Sequence, residues 1–168
     1  MTATAEGIVG ARVLGPEDGE IKGGMGGLTN RFMIRGAETG GAFSILEHRL
    51  APRALAGPLH KHSGEDEYSF VLEGQVGAVL GDEEFSAKAG DLICKPRGQW
   101  HTFWNAGDLP ARILEIIAPA GLEELFRSFG DLVGPLDPAT MAEMAGRYGA
   151  ELDFERTFPI VQRHGLAF

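Results

Sequence analysis

Three histidines and a glutamate are spaced so that a small β-structure can bring all four side chains onto one metal ion: His60-Lys61-His62, then Glu67, then His101. In an extended strand, side chains two apart share a face and stand about 6.6 Å apart along the chain. His60 and His62 therefore point one way and Lys61 the other. Glu67 lies an odd number of residues beyond His62 and in an unbroken strand would face the opposite side. Ser63-Gly64 is expected to break the strand by a turn or bulge and return Glu67 to the interior. His101 follows Pro96-Arg97-Gly98, read as a type I turn with proline second and glycine fourth, and completes the set. Glu65 and Asp66 are rival carboxylates.

Three imidazole nitrogens and one carboxylate oxygen suit Fe, Mn, Ni, Co, Cu or Zn, so the expected cofactor is one divalent transition metal per chain, its identity open. With one carboxylate the ion keeps a net charge of +1, which favours an anionic ligand such as an enolate, a phenolate or a carboxylate. Glu67 doubles as the candidate catalytic base. The same alternation sets Ser69 and Val71 beside Glu67, and Phe103 and Asn105 beside His101. These four are the candidate substrate-binding residues, while Tyr68, Phe70, Thr102 and Trp104 are expected to point away. A lone H-x-H is a weak signal, because strand histidines are commonly exposed or hydrogen-bonded in a core. His48 and His164 are read in that way, and Cys94 as buried filler.

The elements that must position these residues are short strands. Apolar runs bounded by Gly or Pro occur at Arg31–Ile34, Ala42–Leu50, Tyr68–Leu72, Val76–Leu80, Glu84–Ala87, Leu92–Cys94, Thr102–Trp104 and Arg112–Ile117. Their spacing predicts an antiparallel barrel or sandwich, with Gly81-Asp82 as a two-residue hairpin turn. After Pro119 the period becomes helical: Leu122, Leu125, Phe126 and Phe129 form one stripe. Asp137 and Pro138 start a second helix, with Met141, Met144, Ala145 and Tyr148 as its stripe and Gly149 as its stop. Both stripes are expected to pack on the outside of the barrel or on a partner subunit rather than to form a lid. The domain plan is an N-terminal arm over 1–27, a barrel over 28–119 and a helical extension over 120–168.

A formal charge of -9 argues against nucleic acid or an anionic membrane as partner, since phosphate binding needs a basic face. Cys94 is the single cysteine, which excludes an intramolecular disulfide and a cysteine-rich zinc site. The first residues, Met1 to Glu6, lack the basic and apolar segments of a secretory signal, and no apolar run is long enough to span a bilayer. The expected location is the cytoplasm.

The first block reads H-K-H, four residues, Glu67, six residues, Gly74; the second reads Gly90, five residues, Pro96, one residue, Gly98, two residues, His101, three residues, Asn105. Together they resemble the two signature motifs of the cupin superfamily. The flank Ile117-Ala118-Pro119-Ala120-Gly121-Leu122-Glu123 resembles single-domain bacterial cupins similar to quercetin dioxygenases. One departure is visible, Ala54 standing where the pattern has glycine, with Gly57 close by. The resemblance implies an all-β double-stranded β-helix, the jelly-roll barrel, with two C-terminal helices. It also implies His60, His62, Glu67 and His101 as metal ligands, and a homodimer.

Cupins host many reactions, so the fold alone does not select one. The net positive metal shell and the mostly apolar interior positions, together with the resemblance of the flank to quercetin dioxygenase-like cupins, imply a metal-dependent, dioxygenase-like oxidoreductase acting on a small enolisable or phenolic compound. The alternatives are a sensor or partner module that binds a small anion without converting it, and a metal-dependent isomerase or decarboxylase.

Overall fold

In the computed structural model, which describes residues 10–24, 26–132 and 137–167, two antiparallel sheets face each other as a jelly-roll barrel, the expected double-stranded β-helix. The first sheet runs in the order β1 (Glu20–Gly23), β2 (Leu28–Ile34), β3 (Ser44–Leu50), β10 (Ala111–Ala118), β5 (Asp66–Glu73), β8 (Leu92–Lys95). The second runs β11 (Ala150–Asp153), β4 (Leu59–His62), β9 (His101–Trp104), β6 (Gln75–Leu80), β7 (Glu83–Lys88). Three helices follow the barrel: α1 (Glu123–Gly130), α2 (Pro138–Gly146) and α3 (Phe154–His164).

The inward residues of the two sheets make the core. Leu50, Val71, Val76, Ile113 and Phe103 pack between the sheets, while Leu46, Phe32 and Ile117 meet Leu122 and Leu125 of α1. On the outer side of the second sheet, Ile160 of α3 and Leu166 cover Leu55, Leu59 and Trp104. Glu47 of β3 points away from the barrel yet is 1% exposed, because Arg49 of its own strand, Arg31 of β2 and Arg112 of β10 close over it at 2.9–3.1 Å.

Local signals in the chain account for the ends of the elements. Gly81 turns the β6–β7 hairpin at φ +67°, a region that favours glycine. Asp137 caps α2, accepting from the amides of Ala139 and Thr140 at 3.0 Å each, with Pro138 at the first helical position. Glu123 is buried at the start of α1 and ties it to the barrel by accepting from the Gly36 amide at 2.8 Å.

Several expectations need correction. Residues 20–23 of the expected arm pair with β2 as an edge strand, and Arg127 of α1 clasps Glu20; residues 1–9 and 25 lie outside those described. The C-terminal extension is not wholly helical, since β11 pairs with β4 in the barrel sheet. It also carries a third helix, α3, which begins at an Asp153 cap and tolerates Pro159. Helix α2 ends three residues before Gly149, whose φ of +71° instead turns the chain into β11. The turn ahead of His101 sits one residue further along than expected. The Gln99 amide donates to the Pro96 carbonyl at 3.2 Å, so Gly98, at φ +77°, is third in the turn.

Candidate metal centre

His60, His62, Glu67 and His101 come together, their ligating atoms all within 4.8 Å of one another. Two strands of the second sheet supply the imidazoles. His60 and His62 lie on β4, and His101 opens β9 directly opposite His60. The ring centroids stand 4.4 Å apart for His60 and His101, and 5.0 Å for His62 and His101. Glu67 arrives from the other sheet. The chain leaves β4 after His62, breaks at Ser63-Gly64-Glu65 and re-enters as β5, so the parity problem is solved by crossing between sheets. The Gly98 amide donates to the His62 carbonyl at 2.7 Å, tying the turn before His101 to the strand that carries the other two imidazoles.

The imidazoles are held by their far nitrogens. His60 Nδ1 lies 2.7 Å from the Pro58 carbonyl and His101 Nδ1 2.9 Å from the Gln99 carbonyl. A carbonyl oxygen can only accept, so both Nδ1 atoms carry the proton and both Nε2 atoms present lone pairs. His101 Nε2 then faces the Glu67 carboxylate, 3.3 Å from Oε2, acceptor against acceptor. Among the described residues, the Nε2 atoms of His62 and His101 are buried without a hydrogen-bond partner. Buried polar atoms are rarely left so, and lone pairs converging from four residues are what a cation requires. The residues fit one divalent transition metal, and the donor set leaves its identity open. The rival carboxylates fall elsewhere: Asp66 pairs with Arg97 at the surface, and Glu65 approaches the opposite nitrogen of His62, Nδ1, at 3.5 Å.

The electrostatics keep three of the four donors in their ligating forms; at the fourth, His62, burial acts against protonation but the Glu67 carboxylate overrides it and raises the ring above its ordinary value. Burial, aided by the neighbouring His101, drives His60 down to about 3, and burial also lowers His101, so both rings are neutral at ordinary pH. Burial acts against ionisation of Glu67, but the ammonium of Lys95 overrides it and holds the carboxyl well below the usual range. Lys95 is 2% exposed; its Nζ stands 2.7 Å from Glu67 Oε2 and 3.0 Å from Glu115 Oε1. Behind it Ser69 Oγ donates to Glu115 at 2.5 Å, and His48 Nδ1 meets Asn30 Oδ1 at 2.7 Å. Burial pushes Glu115 up to about 7, against the attraction of Lys95, and His48 down to about 3. None of Lys95, Glu115, Asn30 or His48 stands out in the sequence as a site residue. Their signal is strand phase: Lys95 pairs across β8–β5 with Glu67, and Glu115 across β10–β5 with Ser69.

A cavity of about 70 Å³ opens against His60 and Glu67. Lys95, His48 and Asn30 lie at its polar side, and Phe103, Leu122, Leu125, Phe126, Phe129 and Met141 form its apolar wall. The helical stripe of α1 is thus set over the cavity, where the sequence reading places it outside the barrel. Of the four candidate pocket residues, Phe103 lines this cavity. Ser69 is turned to Glu115, and Val71 is sealed in the core at 0% exposure. Asn105 is a loop clamp: its amide donates to the carbonyls of Ala51 and Leu109 at 3.1 and 2.7 Å, and its Oδ1 accepts from Gly107. Tyr68 and Phe70 point outward as expected, whereas Thr102 is buried, borders the cavity and donates to the Gly57 carbonyl. Cys94 is exposed rather than buried.

Residues 46–117 match the Cupin domain family (Cupin_2), covering both motif blocks and all four clustered residues. The chain is 30% identical over 94 residues to the tetracenomycin polyketide synthase protein TcmJ of Streptomyces glaucescens, covering 55% of this chain and 62% of that one. It is 34% identical over 62 residues to a gentisate 1,2-dioxygenase of a Haloferax species, covering 36% of this chain and 17% of that one. Among solved structures it is similar to the polyketide cyclase RemF of Streptomyces resistomycificus, with 26% identity and a TM-score of 0.56 over 64% of this chain and 79% of that one. The chain spans less than two thirds of the length of the curated relatives it matches. The barrel that gathers these four side chains has the cupin double-stranded β-helix fold, and the stretch that matches the cupin domain is the one that carries them.

Proposed function

We propose that this protein is a metal-dependent, dioxygenase-like oxidoreductase acting on a small enolisable or phenolic compound. The observation that carries the reading is the opening of the His60–Glu67 side of the cluster into a mainly apolar cavity. A purely structural ion would be sealed on all sides by its ligands. A bound divalent ion supplies positive charge to stabilise an enolate or phenolate oxygen. Glu67 is kept ionised by Lys95 and accepts the proton that the substrate gives up on binding. Phe103, Phe126 and Phe129 enclose the apolar body of the substrate and exclude water.

Similarity to the gentisate dioxygenase segment supports the oxidative reading. Similarity to TcmJ and to the polyketide cyclase favours a second one, in which the same enolate chemistry runs without oxygen as a ring closure or isomerisation. Oxygen dependence separates them. The protein is loaded with Fe(II), Mn(II) or Ni(II), and O₂ uptake is followed with catechols, flavonols and small β-diketones, beside anaerobic controls. Metal-dependent uptake with a small β-diketone or catechol is the expected result. Turnover that persists without O₂ selects the second reading. No turnover of any kind with any pairing overturns both and leaves a binding module.

A further inference from the structure

Lys95 is an expensive residue to place where it stands. Its ammonium is buried beside Phe103, whose ring centroid lies 4.8 Å from Nζ. Burying an ammonium costs several kcal/mol unless it is fully paired. A cluster of three imidazoles and one carboxylate needs no such neighbour to bind a cation; a fixed positive charge beside it works against cation entry. Lys95 and an ion at the cluster share one carboxylate, since Nζ already holds Glu67 Oε2 at 2.7 Å. The pairing is built in by register, because Lys95 and Glu67 are direct cross-strand partners, and Glu115 from the far side of β5 holds Nζ in place at 3.0 Å.

We propose that Lys95 is a resident counter-cation for Glu67: it orients the carboxylate through Oε2, takes the place of the ion's charge in the metal-free protein, and sets the affinity of the site by opposing the ion that binds. This rests on the reading of His60, His62, Glu67 and His101 as metal ligands. It assigns Lys95 the role of a positioning and affinity-setting residue and Glu115 that of its anionic counterweight. The consequence is a site whose metal is held less tightly than its four ligands alone would hold it, and whose bound ion retains more positive character toward an incoming anion.

A merely structural Lys95 and a counter-cation predict opposite signs. If Lys95 only props up the barrel, removing it loosens the site and weakens metal binding. If it opposes the ion, removing its charge tightens binding. The assay is competition between the full-length protein and a chelator for Co(II), run at a pH well above the value of about 7 to which burial pushes Glu115. The visible bands of Co(II) report ligand number independently of catalysis. Lys95→Met, similar in length and uncharged, is expected to bind Co(II) about tenfold tighter or more, since a unit charge a few ångströms from a divalent ion is strongly repulsive in a buried site. Lys95→Arg keeps the charge and is expected to stay within about threefold of wild type. Glu115→Gln keeps Lys95 and removes its counterweight, and is expected to weaken Co(II) severalfold, which tests the same idea should Lys95→Met fail to fold. Wild-type protein that binds Co(II) while Lys95→Met binds no tighter, or Glu115→Gln no weaker, overturns the inference and leaves the metal site standing. Wild-type protein that takes up no Co(II) overturns the metal site, and the inference with it.

Discussion

Gly77→Ala is the sharpest single test of how the barrel holds its site. Gly77 on β6 lies directly opposite Trp104 on β9. A Cβ there would meet Trp104 Cε2, with Nε1 at 2.5 Å and Cζ2 at 2.6 Å. Non-bonded carbons rest at about 3.5–4.0 Å, so the indole must retreat by roughly 1 Å. It has little room to do so, being 1% exposed, stacked on His164 at 4.7 Å between centroids, and packed among Leu55, Leu59, Ile160 and Leu166. Overpacking of this kind costs about 1–3 kcal/mol. At ~2–4 °C per kcal/mol for a chain of this size, the melting temperature falls by about 2–12 °C. The displacement also reaches the site, since Trp104 ends the four-residue strand that His101 begins, and Co(II) affinity is expected to drop with stability. Calorimetry on Gly77→Ala, with Gly57→Ala as control because nothing lies within 4 Å of its added Cβ, reads the effect directly. Adding Trp104→Leu to Gly77→Ala should recover part of the loss relative to the sum of the single changes, as expected for residues in contact. A Gly77→Ala protein that melts with wild type would mean that the indole is not confined as described, and the reasoning about β9 would fail.

Metal itself should stabilise the fold: at a hundredfold excess over Kd the gain is about 2.7 kcal/mol, or roughly 5–11 °C in Tm. His101→Ala is expected to abolish that shift, whereas a shift that survives places the ion elsewhere. Glu47→Gln should cost about 3 kcal/mol by stranding the buried Arg31 guanidinium. Burial opposes ionisation of Glu47, but its arginine partners hold its pKa below the ordinary 4.5. Its contribution is therefore fully present above that value and is lost as pH falls through the folded-state pKa. Urea titrations from neutral pH into acid should accordingly show a shallower loss of stability for Glu47→Gln than for wild type, and parallel curves would contradict the assignment. Asn105→Ala should lower stability by about 2 kcal/mol, through the carbonyls left unpaired, and leave metal affinity unchanged. A selective loss of ligand binding in that variant would instead restore Asn105 to the pocket.

The four clustered residues were legible because their spacing carries a physical argument. His60 and His62 share a strand face, and the parity of Glu67 demands a break where Ser63 and Gly64 stand. What parity alone does not reveal is that the break carries the chain into the opposite sheet. The buried lysine was illegible for a related reason. In Leu92-Ile93-Cys94-Lys95 either alternating pair can face inward, and Leu92 with Cys94 is the more apolar choice. The barrel takes the other phase, and Cys94 faces out while Lys95 faces in, because Lys95 meets Glu67 and Glu115 there. Asn105 illustrates the converse: strand alternation assigns it to the pocket, but β9 ends at Trp104 and the chain has already turned. The stripe on α1 was legible as a buried face, whereas what it covers is a tertiary fact. Helix α3 was hidden by Pro159, and β11 by its brevity, both being settled by contacts with distant parts of the chain.

The descent of the cluster from both sheets also has a temporal side. Two strands of one sheet offer only imidazoles, and the carboxylate arrives across the barrel on the other. A nascent or half-assembled chain therefore presents an incomplete donor set, and an ion would be captured only after the two halves have closed on each other. Once seated, it would clasp them like a rivet, so release of the metal and parting of the sheets would become linked events. Slow loss of metal to a chelator should then track the opening of the barrel rather than the strength of any one ligand bond.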